Sequence, residues 1–334
     1  MGLINLKNLL NHSKQNKYAV GAFAITNMDF VDALIDCALK KNSPIILLLA
    51  EVHFKYLDIE KVTPVIIDAA KRVDIPVCIS LDHGQKLETI IKAVRCGFTS
   101  VMFDGSKYPI DENIRLTKEV VRIAHSVDVS VEAELGYIGG ESASEKMPES
   151  HSPKKELYTK VEEAIRFYKE TKVDALAVAI GNVHGIYKGK PDLDFARLRD
   201  IRDSLDIPLV LHGGSGISDE DYRELIKLGI CKINYYTDMS ISAVDEIRNY
   251  LGSNPDFNSY PDLIKKAMNA VKQLVCERFD VWGCTNKSAA AKSLCISCDD
   301  ENCKLVDPFF TTDAKTFVFE DLVKNISTEI IKRI

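Results

Sequence analysis

Three of the seven histidines stand directly behind short apolar runs and directly before a glycine: His83 in SLDHG, His184 in IGNVHG and His212 in LVLHGGSG. Neutral imidazoles are good zinc ligands, and three of them leave the fourth position of a tetrahedral ion open to a substrate. Each alone also reads as a hydrogen-bonded polar residue at a strand end; the threefold recurrence favours the metal. Two acids keep the same company. Asp82 directly precedes His83, and Glu134 closes the run VEAELG. A carboxylate beside an open metal position can move protons on a polarised substrate. Asp104 in MFDGS is a third such acid, equally readable as a helix cap. The remaining histidines, His12, His53, His125 and His151, fall in helical, loop or N-terminal segments and read as structural or solvated.

Anion binding is the second chemistry. HGGSG (212–216, with Gly213, Gly214 and Ser215) leads toward a helix near Ser218, and NYYTD (Asn234, Tyr235, Tyr236, Thr237, Asp238) leads into another. Glycine-rich backbone lets N–H groups approach an anion, and helix N-termini favour negative charge. Lys188, four residues after His184, would add a cation.

These residues need a frame that brings them together. Nearly continuous apolar runs recur at 20–25, 44–50, 77–81, 100–103, 129–133, 175–180, 209–211 and 231–235, as strands buried on both faces require. Amphipathic stretches alternate with them at 29–40, 63–72, 87–96, 111–127, 160–171, 194–204, 218–228 and 239–251. Leu87, Ile90, Ile91 and Val94 fall on one helical face. Ser218 with the acids behind it starts a helix, and Gly97 and Gly229 follow two others. Eight strand–helix units in series predict a (β/α)₈ TIM barrel, whose strands all end on one rim where active sites are built. The histidines follow strands three, six and seven; phosphate sites commonly use the loops after strands seven and eight. An open doubly wound sheet is the competing frame, but 20–27 lack the glycine fingerprint it would carry.

Two regions break the alternation. Residues 136–156 are long, polar and rich in Gly and Ser, and read as a loop after strand five. The barrel is expected to occupy 1–283, leaving 284–334 as a cysteine-containing C-terminal extension. Cys284, Cys295, Cys298 and Cys303 there could supply thiolates to a structural zinc, with reduced, loosely packed cysteines as the other reading.

Composition bounds the rest. Of 334 residues, 46% are hydrophobic and 28% charged, and 43 basic against 49 acidic side chains give a formal charge of −6. That balance offers no general attraction for nucleic acid or an anionic membrane. No apolar run approaches the roughly 18 residues of a membrane helix. A cytoplasmic protein is expected, and nine mostly isolated cysteines suit a reducing compartment.

SLDHG, VEAELGYIGGE, LAVAIGNVHGIYKG, LVLHGGSGI and GICKINYYTDM, in this order, resemble the zinc-dependent class II fructose-bisphosphate/tagatose-bisphosphate aldolase family as far as about Lys292. The resemblance implies retro-aldol cleavage of a ketose phosphate or bisphosphate into dihydroxyacetone phosphate and an aldehyde, with zinc stabilising the enediolate, in a homodimer or homotetramer. It implies His83, His184 and His212 as zinc ligands and Asp82 as the acid–base group at the C4 hydroxyl. Glu134 would be a carboxylate able to reach the metal. Gly185, Gly213, Ser215, Asn234 and Thr237 would grip dihydroxyacetone phosphate, and a monovalent cation beside the phosphate is a further expectation.

The departures fall on the aldehyde half. The usual AFN is Ala22-Phe23-Ala24, with Asn27 retained, and a small hydroxyl residue after strand two is Ala50. A loop acid pair is Glu141-Ser142, so a proton-transfer role passes to Glu141 or Glu145. A DPR-x-Y segment is replaced around Asn258, leaving Lys265 and Lys266 as nearby cations. These changes imply an altered acceptor. Other readings remain open at this point: a Schiff-base lyase using Lys232, a zinc hydrolase, or a non-catalytic metabolite-binding barrel.

Overall fold

In the computed structural model, which describes residues 2–139, 149–150 and 154–295, eight parallel strands close on themselves. They are β1 (Val20–Ala24), β2 (Ile45–Ala50), β3 (Val77–Gly84), β4 (Ser100–Phe103), β5 (Ser130–Leu135), β6 (Ala175–Val178), β7 (Leu209–Leu211) and β8 (Ile230–Tyr235). Each strand pairs with its neighbours in chain order, and β8 closes the ring on β1 through Val20 opposite Lys232 and Phe23 opposite Tyr235. One helix follows each strand: α2 (Met28–Lys41), α3 (Ile59–Lys71), α4 (Leu87–Arg95), α5 (Ile110–His125), α6 (Val161–Thr171), α7 (Phe195–Ser204), α8 (Asp219–Lys227) and α9 (Thr237–Ser253). This is the expected (β/α)₈ TIM barrel. All six residues of β2 are buried, as a strand between a filled barrel and a ring of helices must be.

The local signals act as expected at several ends. The Ser218 hydroxyl accepts the Asp221 N–H at 3.1 Å and caps α8, whose first turn carries Asp219 and Glu220 at the positive end of the dipole. Asn27 is spent in the same way: its side-chain oxygen accepts the Phe30 N–H at 3.0 Å and starts α2.

Two helices were not expected from the alternation. α1 (Leu6–Gln15) buries Leu6, Leu9 and Leu10 across the end of the barrel opposite the rim. Ile4 N–H donates to the Val77 carbonyl at 3.1 Å, Lys7 N–H to the Ser130 hydroxyl at 3.0 Å, and the Ser13 hydroxyl to the Cys231 carbonyl at 3.1 Å. The segment thus stitches the starts of β3, β5 and β8, and each buried leucine is worth about 2 kcal/mol relative to exposure. The long α10 (Tyr260–Val281) packs on α9 and α2 through a four-residue spacing of Ala267, Val271, Val275 and Phe279. The core continues past Gly283: Cys284 and Ala291 are buried, and the Ser288 N–H donates to the Asn42 carbonyl at 3.0 Å. The Cys284 thiol lies in this packing, where burial pushes it up to about 12; Cys298 and Cys303 lie outside the described residues. Among the described residues no helix is long and apolar enough to cross a membrane.

Candidate active site

Strand ends supply the site. β3 delivers Asp82 and His83, and His83 adopts the left-handed region, φ +48°. A non-glycine residue there costs about 1 kcal/mol, so its contacts must hold it. They do: His83 Nδ1 shares a hydrogen bond with Asp104 Oδ2 at 2.9 Å, and Nε2 lies 3.0 Å from His212 Nδ1. His212, following β7, is fully buried, and its Nε2 is 2.9 Å from Glu132 Oε1. The other Glu132 oxygen accepts the Lys232 ammonium at 2.7 Å. His184 arrives from the loop after β6, where its backbone N–H donates to the Gly139 carbonyl at 2.7 Å. The three ring centroids are 4.7, 4.9 and 5.7 Å apart, and one donor atom from each ring lies within 4.8 Å of the others.

The donors suit a divalent cation. Two nitrogens at roughly 2.05 Å from a tetrahedral zinc lie about 3.3 Å from each other, close to the 3.0 Å between His83 Nε2 and His212 Nδ1. His184 Nε2 and Glu134 Oε2 are buried and lack a hydrogen-bond partner among the described residues, as unspent ligand atoms would be. Glu134 Oε2 stands 3.9 Å from His212 Nδ1 and 4.0 Å from His83 Nδ1, and a second donor group joins His83, Asp104 and Glu134. Burial, reinforced by the charge on His83, holds His184 and His212 well below the usual imidazole range, in the neutral form that binds metal. Burial opposes a charge on His83, yet Asp82, Asp104 and Glu134 raise it to about 10. The cluster draws positive charge to itself.

Asp82 faces the same space. Burial works to raise its carboxyl, but His83, His212 and Lys232 outweigh that and hold it below the ordinary aspartate range. Asn234 Nδ2 donates to its Oδ1 at 3.0 Å, fixing the group in orientation. The surrounding cavity is lined by Gly185, Gly213, Gly214, Ser215, Asn234, Tyr235, Tyr236 and Thr237, together with Asp82, His83 and His184. Lys188 is exposed and off this lining. Gly213 has φ +60°, and a Cβ there would sit 1.9 Å from the Val183 oxygen, so no other residue fits. The cradle is narrower than its glycines suggest, because the Gly214 N–H already donates to the Asn234 carbonyl and the Gly216 N–H to Asp238, both at 3.0 Å. Tyr236, before α9, makes no side-chain cap; instead the Ser215 hydroxyl accepts the Asp238 N–H of the first turn at 3.2 Å, and Thr237 at the start of the helix lines the cavity. Glu141, Ser142 and Glu145 lie outside the described residues.

Two residues of the site escaped the sequence reading. Glu132 carried a usable signal: it alternates with Glu134 in VEAEL, so both point into the barrel from one strand face. His53, expected to be structural or solvated, is buried and lines the cavity. The ion pair with Glu132 also uses Lys232 as a support for His212, not as the free amine a Schiff base needs. Glu132→Gln should weaken zinc binding about 10–100-fold, as loss of a ligand's orienting partner commonly does. Metal titration against a competing chelator measures this, and unchanged affinity would remove Glu132 from the metal's support.

Comparison with known sequences identifies the family. The family profile described as fructose-bisphosphate aldolase class-II matches residues 4–287. The chain belongs to this family. The D-tagatose-1,6-bisphosphate aldolase subunit GatY of Klebsiella oxytoca is 39% identical over 284 residues, covering 85% of this chain and 99% of the relative. Among solved structures, the YdjI aldolase of Escherichia coli K12 superposes with a TM-score of 0.75 at 31% identity, over 86% of this chain and 99% of that one. Fructose-bisphosphate aldolase of Campylobacter jejuni shares the fold, with a TM-score of 0.72 at 22% identity over 86% and 97% of the two chains. In this class II aldolase the altered positions Ala24 and Ala50 both line the cavity, beside Asp82.

Proposed function

We propose that the aldolase cleaves a ketose 1-phosphate or ketose bisphosphate into dihydroxyacetone phosphate and an aldehyde, with His83, His184 and His212 holding a zinc ion. One observation carries the reading: three imidazoles converge at the rim beside a buried, oriented carboxylate. When bound, zinc supplies a Lewis acid that polarises the donor carbonyl and stabilises the negative charge developing there. Asp82 takes the proton from the C4 hydroxyl as the C3–C4 bond breaks, so that C4 leaves as the aldehyde carbonyl and the electron pair stays with the donor. Protonation of the donor at C3 completes cleavage, and Glu141 is the residue we assign to it. Gly213, Ser215 and Thr237, at the glycine turn and the start of α9, hold the donor phosphate by backbone and hydroxyl donors. Gly185 and Asn234 complete the donor wall, and a monovalent cation beside the phosphate is part of the proposal.

The acceptor side supports a departure from fructose 1,6-bisphosphate. Asn258 stands where the family resemblance implied an arginine, a neighbouring Tyr260 is exposed, and the Lys266 ammonium is engaged 4.0 Å above the Tyr250 ring. A bidentate arginine–phosphate contact is among the stronger polar interactions a site can make. Without it, kcat/KM for fructose 1-phosphate should come within about tenfold of the values for fructose and tagatose 1,6-bisphosphate. Steady-state cleavage of the three substrates by the zinc-loaded enzyme measures this. A preference for a bisphosphate far above that range would place another cation in the arginine's role; no turnover of any ketose phosphate would sink the aldolase reading.

A further inference from the structure

β2 ends in a short 3₁₀ turn, Glu51–His53, which the chain pins to the neighbouring helix. One Glu51 oxygen accepts the Gln85 N–H at 2.7 Å, and the other accepts the Thr89 hydroxyl at 3.0 Å. The turn is therefore fixed beside the loop that follows His83. It places the His53 imidazole in the cavity wall, only 2% exposed, with its ring 4.8 Å from that of Tyr236. Neither ring nitrogen reaches a hydrogen-bond partner among the described residues. Burying such a group unsatisfied is costly, and native structures rarely do so without a use for it. On this side of the cavity Ala24, Leu48 and Ala50 offer no polar side chain, so the polar groups there are His53, its ring neighbour Tyr236, and Asp82 with the Asn234 amide that holds it.

We propose that His53 determines acceptor specificity: its imidazole hydrogen-bonds a hydroxyl on the aldehyde-derived half of the substrate, next to the oxygen that Asp82 serves. This rests on the aldolase reading above. A neutral imidazole offers one N–H and one lone pair, the match for a hydroxyl, which both donates and accepts. A phosphate dianion only accepts and calls for cations. Burial, with Lys55 nearby, lowers the ring's affinity for a proton against the opposing pull of Asp82, consistent with the neutral form.

The test runs the reaction in the aldol direction with zinc-loaded enzyme and dihydroxyacetone phosphate. Glyceraldehyde and propionaldehyde serve as acceptors of equal chain length, with and without hydroxyls. Deuterium exchange from solvent into dihydroxyacetone phosphate, which needs no aldehyde, is the internal reference. His53→Ala should lower the glyceraldehyde-to-propionaldehyde ratio of kcat/KM about tenfold or more, and His53→Gln, which keeps a polar amide, should retain part of it. An unchanged ratio, or a loss shared equally by both aldehydes and the exchange, overturns the inference. If the wild-type enzyme shows neither exchange nor turnover, the aldolase reading falls, and this assignment with it.

Discussion

Replacing His212 with alanine should abolish turnover and remove most of the bound zinc. His212 is fully buried, its Nδ1 lies 3.0 Å from His83 Nε2, and Glu132 holds its other nitrogen at 2.9 Å. Deleting the ring takes one of three imidazole donors and leaves a gap that the fixed strand ends cannot close. The fold should survive, because Glu132 keeps Lys232 as its ion-pair partner at 2.7 Å and is not left as a lone buried charge. Metal analysis after dialysis, read beside a thermal melt, separates lost metal from lost structure. A strong chelator should silence the wild-type protein in the same way, and zinc should restore it. Turnover that persists at full rate in the chelated enzyme would refute a metal mechanism outright.

Asp82→Asn should cost about 10²–10⁴-fold in kcat, the usual loss when a positioned acid–base group is removed, while zinc content stays near that of the wild type. The substitution is nearly isosteric, and the new amide oxygen can still accept the Asn234 Nδ2 hydrogen bond that holds Oδ1 at 3.0 Å. What disappears is the ability to take the C4 proton. A decrease below about fivefold would strike Asp82 from the catalytic list.

The barrel was legible because buried parallel strands leave long apolar signatures and the helices between them carry their own stripes. IILLLA could hardly be anything else, and Ser218 and the glycines after α4 and α8 marked their helix ends. The three clustered histidines were legible for a related reason: polar residues that recur at strand ends have few structural explanations. α1 and α10 were passed over although both carry helical spacing, Leu6, Leu9 and Leu10 in one and Ala267, Val271, Val275 and Phe279 in the other. Neither helix follows a strand within the repeat, so the repeat did not ask for them. His53 was hidden by a different cause. Three residues beyond its strand, its direction is set by Glu51 reaching across to Gln85 and Thr89, and that tie exists only once β2 and α4 are neighbours.

The left-handed backbone at His83 carries a consequence for any effort to improve this protein. Glycine, and to a lesser degree asparagine, is more at ease in that conformation than histidine. A selection that rewards resistance to heat alone therefore pushes this position away from the imidazole that the proposed metal site uses. Under the proposed function, robustness and catalysis have opposite preferences there, and a variant made tougher at residue 83 would give up one of the three imidazoles proposed to hold the metal.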